Sequence, residues 1–286
     1  FKMPEAPIKM SGVATQFGFS EGAVLERLGQ IKLPGIDILG IHVYNGSRVL
    51  SATALALNVE RIIALSERMS ELLGVDLRII DIGGGWGVPY FAPEVPLETS
   101  VLADLLTPLL TSFRQRHPHC RVITESGRFL VATSGTLLAR VRALKESHGE
   151  RFAVTDAGYN CFMAAAGMGS IIQRNFPVRV VDGESATAAA PPDPDPTPLH
   201  VTGPLCTPGD VIARRLDLHA LREGSLLAID CAGAYGPSAS PVGFIGHGHP
   251  AEVLIVGRRA HLIRERDTPA DLMRLQRNVI SSPSLQ

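Results

Sequence analysis

The sequence predicts an α/β unit of parallel βαβ repeats over residues 1–128, followed by a mostly antiparallel β domain over residues 129–286. Three observations carry this. Between Ile38 and Thr124, apolar runs of strand length alternate with stretches of helical period, the rhythm of parallel βαβ units. The strand ends in that stretch carry His42 with Ser47, then Gly83-Gly84-Gly85, then Glu125-Ser126-Gly127-Arg128, and ligand groups in such folds gather at the C-terminal ends of strands. Past Arg128 the long helical periods stop, and short segments separated by turn residues take over.

In chain order, Phe1 to Phe17 reads as loop, and Ser20 is placed to cap a short amphipathic helix from Glu21 to Gln30. Ile38 to Tyr44 is a buried strand. Ala52 to Leu73 carries apolar residues at helical spacing and forms a long crossover helix. A strand starting at Leu77 stops at the glycine triplet. A proline-rich loop, Pro89 to Pro96, leads to a helix over Ser100 to Arg116 and a strand over Cys120 to Thr124. The second domain opens with Phe129 to Ala143, rich in β-branched and small residues. It continues with strands at Phe152 to Asp156, Val178 to Asp182, Leu199 to Thr202, Ser225 to Ala232 and Val253 to Val256. Gly183 to Pro198, rich in Pro, Ala and Asp, cannot bury a core and reads as a mobile surface loop. The tail from Ser281 reads as loose.

Length and charge set the functional limits. At 286 residues the chain exceeds one ordinary lobe, which favours two domains. A net charge of -1, with no basic run among aromatics, gives no footprint for nucleic acid or an anionic membrane. No apolar run reaches the ~20 residues of a membrane span, and no signal peptide opens the chain. Cys120, Cys161, Cys206 and Cys231 show no paired or metal-ligand spacing, so reduced thiols in the cytoplasm are expected.

The glycine triplet is the centre of the pattern. Without Cβ atoms, its amides can close on an anion, and phosphate is the usual one. A tight strand-to-helix turn without ligand explains the same residues.

The motifs resemble those of the fold-type III pyridoxal-phosphate decarboxylases, the diaminopimelate, ornithine and arginine decarboxylase group built on an alanine-racemase-like barrel. They occur in family order: His42 to Ser47, Asp81 to Gly85, Glu125 to Arg128, Gly203 to Cys206 and Gly233 to Gly236, with a softer match at Pro250 to Val253. The resemblance implies the C-terminal portion of a (β/α)8 barrel followed by a β domain, pyridoxal 5'-phosphate as cofactor, and a homodimer with shared active sites. Decarboxylation leaves an electron pair that the protonated pyridinium ring takes up. The resemblance gives Glu125 the place beside the ring nitrogen. It puts the phosphate on the amides of Gly85 and Gly127, with Ser47, Arg128 and Tyr235 donating as well, and counts Gly84 among the cofactor-binding residues. A structural ion pair is the other reading of Arg128. Cys206 is implied to protonate the product from the partner subunit, which suits a thiol titrating near ~8.5; an inert buried cysteine is the alternative. No metal is implied.

The chain departs from the pattern at four places. The imidazole expected three residues before Ser47 is Tyr44, while His42 lies two residues earlier; either ring can stack on the cofactor, and Tyr44 can equally be core. The acidic residue expected after the cysteine is Thr207, and the arginine expected after Asp156-Ala157-Gly158 is missing, the run being Tyr159, Asn160, Cys161, Phe162 and Met163. Both charge anchors for a distal group are therefore absent, and an unpaired buried charge is costly. The expected substrate has a neutral or tethered distal end, such as a glutamyl thioester on an acyl-carrier protein, the substrate type of one biosynthetic branch of the family. Thr207, Asn160, Phe162, Met163 and His247 are the expected substrate contacts, with His249 beside them or plainly at the surface. Finally, Lys2, Lys9, Lys32 and Lys145 all lack the context of the family's cofactor-anchoring lysine. A segment before Phe1, with about five further barrel strands, is expected to supply it, since three strands of eight cannot close. The rival readings are a decarboxylase of free diaminopimelate, ornithine or lysine, a racemase, and a non-catalytic decarboxylase-like regulator.

Overall fold

The computed structural model describes residues 2–27, 34–167, 173–181, 197–218 and 221–277. Residues 28–30 of the expected first helix, most of the loop expected from Gly183 to Pro198, and the tail from Ser281 lie outside them. The chain divides into two compact units, Phe1–Ala132 and Thr133–Gln286.

The first unit runs β1 (Ile8–Lys9), α1 (Glu21–Arg27), β2 (Gly40–His42), β3 (Gly46–Ser47), α2 (Ala52–Leu73), β4 (Ile79–Gly84), α3 (Thr99–Arg116), β5 (Arg121–Glu125) and α4 (Gly127–Val131). β2, β4 and β5 form a parallel sheet in that order. Gly40 faces Ile79, His42 faces Asp81, and Gly84 faces Glu125. α2 starts where the Ser51 side chain accepts the Ala54 N–H at 3.2 Å. It ends at Gly74, whose left-handed φ of 62° lets its N–H return to the last turn. Val59, Ile62 and Ile63 of α2 pack with Ile80 and Ile82 of β4 and Phe113 of α3. Each such side chain, taken fully from water, contributes about 1.5–3 kcal/mol. That cluster fixes the sheet, and the sheet fixes its strand ends.

The second unit contains β6 (Leu137–Ser147), β7 (Glu150–Thr155), β8 (Val178–Val180), β9 (Leu199–Thr202), β10 (Val211–Leu216), β11 (Leu226–Ile229), β12 (Glu252–Val256), β13 (Arg259–Arg264) and α5 (Pro269–Met273). Six strands form one sheet in the order β10-β9-β7-β6-β11-β8; only β7 and β9 run parallel. β6 and β7 join through His148-Gly149, both at positive φ, as a two-residue hairpin of type I′ requires. Ala139, Val141, Ala153, Val201, Ala213 and Leu227 are buried along these strands. β12 and β13 form a separate hairpin.

Two expectations change. The strand expected from Phe129 begins only at Leu137, because Gly127–Val131 is helical and a 3-10 turn, Ala132–Ser134, follows. β10 and β13, with exposed arginines interrupting the alternation, carried no readable strand pattern. Among the described residues, no helix is long and apolar enough to cross a membrane.

Candidate active site

In the first unit the three parallel strands deliver their chemistry to one edge. His42 ends β2, and its Nε2 lies 3.3 Å from Oε2 of Glu125 at the end of β5. Asp81 stands between them in the register, and a carboxylate oxygen of it accepts the Gly83 N–H at 2.9 Å. Donor atoms of His42, Asp81 and Glu125 fall within 4.8 Å of one another. That spacing suits a small cation or a protonated ring nitrogen. About half of each of the His42 and Glu125 side chains is exposed, so a ligand can reach them.

The glycines are demanded by the protein's own backbone. A Cβ on Gly83 would lie 2.5 Å from the Val43 carbonyl oxygen, on Gly84 1.9 Å from that of Glu125, and on Gly85 2.1 Å from that of Gly46. Gly83 and Gly85 also sit at φ of 66° and 90°. The strand ends can therefore close on one another only through glycine. Beside them the Tyr44 ring packs on Gly83, and His42 and Tyr44 line a cavity of about 690 Å³ together with Phe17, Phe19, Leu65 and Met69. So His42 faces a carboxylate and Tyr44 faces the glycine turn.

Ser47 is buried in β3, paired with Ile8. Gly127 opens α4 with nothing within 4 Å of where a Cβ would be. The next residue, Arg128, donates from Nη1 to the Tyr90 hydroxyl at 3.1 Å and lies over the same ring. Tyr90 in turn belongs to a small network. Glu94 accepts Nη2 of Arg48 at 2.9 Å and the Tyr90 and Phe91 N–H groups, while the Arg48 guanidinium covers Phe91 at 4.7 Å. Arg128 is thus oriented by an aromatic partner rather than buried in the core.

The second unit carries the other predicted residues on loops. Cys206 is the exposed cysteine; Cys120, Cys161 and Cys231 are buried, and burial pushes each of those thiols up. Thr207 is half-buried, its Oγ1 accepting the Gly209 N–H at 3.4 Å. Asn160 is buried and accepts the Gly158 N–H. Met163 is half-buried, and its N–H donates to Ser240 Oγ at 2.9 Å. Phe162 corrects an expectation: fully buried and edge-on to Phe176 at 4.9 Å, it is a core side chain of this unit. Tyr235 is 49% exposed at a positive φ of 56°, in a turn whose Gly236 sits close under the Ala232 carbonyl. His247 is exposed.

Sequence reading overlooked Asp210. It is 3% exposed, and its carboxylate holds the Tyr159 and Leu205 N–H groups. Burial pushes its carboxyl up, while those two amides and His247 pull it down. The turn-forming run Thr207-Pro208-Gly209 before it was the available signal.

Residues 4–132 match the family described as pyridoxal-dependent decarboxylase, pyridoxal binding domain. Those residues carry the pyridoxal-binding domain of that family, and the chain as a whole is similar to the fold-type III pyridoxal-dependent decarboxylases. Among curated members, the L-glutamyl-[BtrI acyl-carrier protein] decarboxylase of Niallia circulans is 31% identical over 273 residues, 94% of this chain and 62% of that protein. The diaminopimelate decarboxylase of Methanothermobacter thermautotrophicus is 33% identical over 267 residues, 93% of this chain and 59% of that protein. Among solved structures, the Helicobacter pylori diaminopimelate decarboxylase complexed with L-lysine superposes with a TM-score of 0.77 at 26% identity, covering 96% of this chain and 64% of the other. The chain thus spans about three-fifths of the family members it matches. The match extends through the second unit, so the fold is that of the family: the alanine-racemase-like barrel portion followed by the β domain.

Proposed function

We propose that the protein is a pyridoxal 5'-phosphate-dependent amino-acid decarboxylase, active in the cytoplasm as a homodimer with shared sites. The observation that carries it is the single edge where His42, Asp81, Glu125 and the glycine triplet converge. The donor set fits the cofactor: a carboxylate for a ring nitrogen, an aromatic face, a helix-opening glycine with open space beside it, and an arginine held on a tyrosine. When bound, the cofactor supplies the electron sink for the pair left as the substrate's α-carboxylate departs as carbon dioxide.

Each residue then has one task. Glu125 holds the ring nitrogen's proton, and His42, 3.3 Å away, steadies that carboxylate. Tyr44, on the cavity wall beside the glycine turn, would offer an aromatic face to hold the ring. Gly84, Gly85 and Gly127 offer backbone to the phosphate, with Ser47, Arg128 and Tyr235 donating from side chains. Cys206 Sγ, exposed on its loop, delivers a proton to the substrate α-carbon after carbon dioxide has left, from the partner subunit's side of the shared site.

The substrate is an α-amino acid whose distal group is neutral, a glutamyl thioester presented by an acyl-carrier protein. The residue after Cys206 is Thr207 rather than an acid, and no arginine follows Asp156-Ala157-Gly158, so neither expected charge is there to pair a free distal group. The name of the Niallia circulans relative supports the same choice. Free diaminopimelate is the second reading, supported by the names of the archaeal and Helicobacter relatives. Carbon dioxide release separates the readings. The cofactor-loaded protein is incubated with carrier-bound L-glutamate or with free diaminopimelate, ornithine or lysine. Release from the carrier-bound substrate alone is expected. Efficient turnover of a free diamino acid overturns the substrate assignment, and no release from any of them favours a regulator.

A further inference from the structure

We propose that Asp210 is a positioning residue that locks the Cys206 loop to the turn at Gly158–Asn160, so that the exposed thiol and the turn move as one piece. The inference rests on the role proposed above for Cys206 and deepens it.

The two segments are far apart in sequence and meet at one carboxylate. One oxygen, Oδ1, accepts the Tyr159 N–H at 2.7 Å; the other, Oδ2, accepts the Leu205 N–H at 2.8 Å. The main chain of Asp210 closes the same loop. Its N–H donates to the Thr207 carbonyl at 3.2 Å, and its carbonyl accepts the Gly203 N–H at 3.1 Å. Within the loop the Thr207 N–H donates to the Leu205 carbonyl at 2.8 Å. Cys206 is thus the exposed apex of a turn fixed on both sides.

The packing is shaped around this carboxylate. A Cβ on Gly158 or on Gly203 would lie 2.3 Å from an Asp210 carboxylate oxygen, so only glycine on both strands of the junction admits it. The side chains of Tyr159 and Leu205 also pack together, with Ala166. An aspartate left only 3% exposed is expensive to keep, and two dedicated amide donors are what make it tolerable. An apolar side chain would fill the space at less cost but could not tie two backbones together.

The test uses Asp210→Asn, which keeps the shape but turns an NH2 toward one of the two amides. In the unaltered protein, the Tyr159 and Leu205 amide hydrogens are expected to exchange slowly and at matched rates. In Asp210→Asn at least one should exchange on the order of tenfold faster, since a buried donor has lost its acceptor. The alkylation rate of Cys206 by iodoacetamide, assigned by its loss in Cys206→Ser, should change at least threefold. With the cofactor and substrate present, kcat should fall by more than KM changes, while far-UV circular dichroism stays the same. Amide exchange and thiol reactivity within twofold of the unaltered protein would overturn the proposal. If Asp210→Asn does not fold, the exchange measurement on the unaltered protein decides. Matched, slow exchange supports the clamp, and solvent-rate or unmatched exchange refutes it. Exchange and alkylation need no turnover. A protein that responds in both but releases no carbon dioxide keeps the clamp and loses the decarboxylase assignment.

Discussion

Replacing Gly84 by alanine tests the packing account of the strand ends most severely. A Cβ at Gly84 would lie 1.9 Å from the carbonyl oxygen of Glu125 and 2.6 Å from its carbonyl carbon. Real Cβ contacts keep at least 3.0 Å, so β4 and β5 must part by over an ångström. Gly84 and Glu125 are paired in the parallel register, and the obstacle is backbone rather than a side-chain tip, so nothing can rotate away. Overpacking of this kind costs typically ~1–3 kcal/mol, and a backbone obstacle puts it at the upper end. With a urea slope of about 2 kcal/mol per molar for a unit of this size, the midpoint should fall by about 1.5 M. Trp86, the single tryptophan, lies in this unit and stands edge-on to Phe129 at 5.4 Å, so its emission reports the transition. Gly127→Ala is the control, because nothing lies within 4 Å of its Cβ position; its midpoint should stay the same or rise slightly. A Gly84→Ala midpoint equal to that of the unaltered protein would refute the reasoning.

Three further outcomes follow from the structure. A thiol reagent at pH 8 should find one fast cysteine, Cys206, and reach Cys120, Cys161 and Cys231 only after denaturation; protection of Cys206 in Cys206→Ser-calibrated peptide maps would contradict its exposure. Glu94→Gln removes the negative charge that pairs with Arg48 and weakens the acceptor of two amides, at a cost of about 1–3 kcal/mol, read as a lower Trp86 urea midpoint. Asp267 and Asp271 have carboxyls held below the usual range, Asp267 by the His249 N–H and side chain, Asp271 by Thr268. Depressed values stabilise the folded state above the ordinary carboxylate pKa near ~4, and the effect is lost as pH falls through the folded values. The protection factors of the His249 and Thr268 amides, their exchange rates taken against the intrinsic rate at each pH, should therefore hold from pH 8 to 5 and fall below about pH 4. A flat profile to pH 2 would contradict those pairings.

Much of the first unit was legible because its signals are local. The long apolar period of Ala52 to Leu73, closed by Ser51 and Gly74, returns in the structure with the same bounds. The strand ends were legible as chemistry, since His42, the glycine triplet and Glu125 are unusual company for a turn. What was not legible depends on partners distant in sequence. Nothing near His42 says that it turns toward Glu125, because that pairing comes from sheet register. Phe162 belongs to the run after Asp156-Ala157-Gly158 that is expected to meet the substrate, yet it is fully buried against Phe176. Asp210 sits in a surface-like run, and only the folded loops reveal two amides aimed at it. The helix at Gly127–Val131 was hidden by β-branched and aromatic residues that a short turn tolerates.

The proposed cofactor site is tested most directly by titrating the protein with pyridoxal 5'-phosphate while following Trp86 emission, since Trp86 directly follows the glycine triplet. The account predicts saturable quenching, with affinity at least about tenfold weaker in Glu125→Ala and in Arg128→Ala, a loss of about 1.4 kcal/mol each. Quenching that does not saturate, or an affinity that both substitutions leave unchanged, would contradict it.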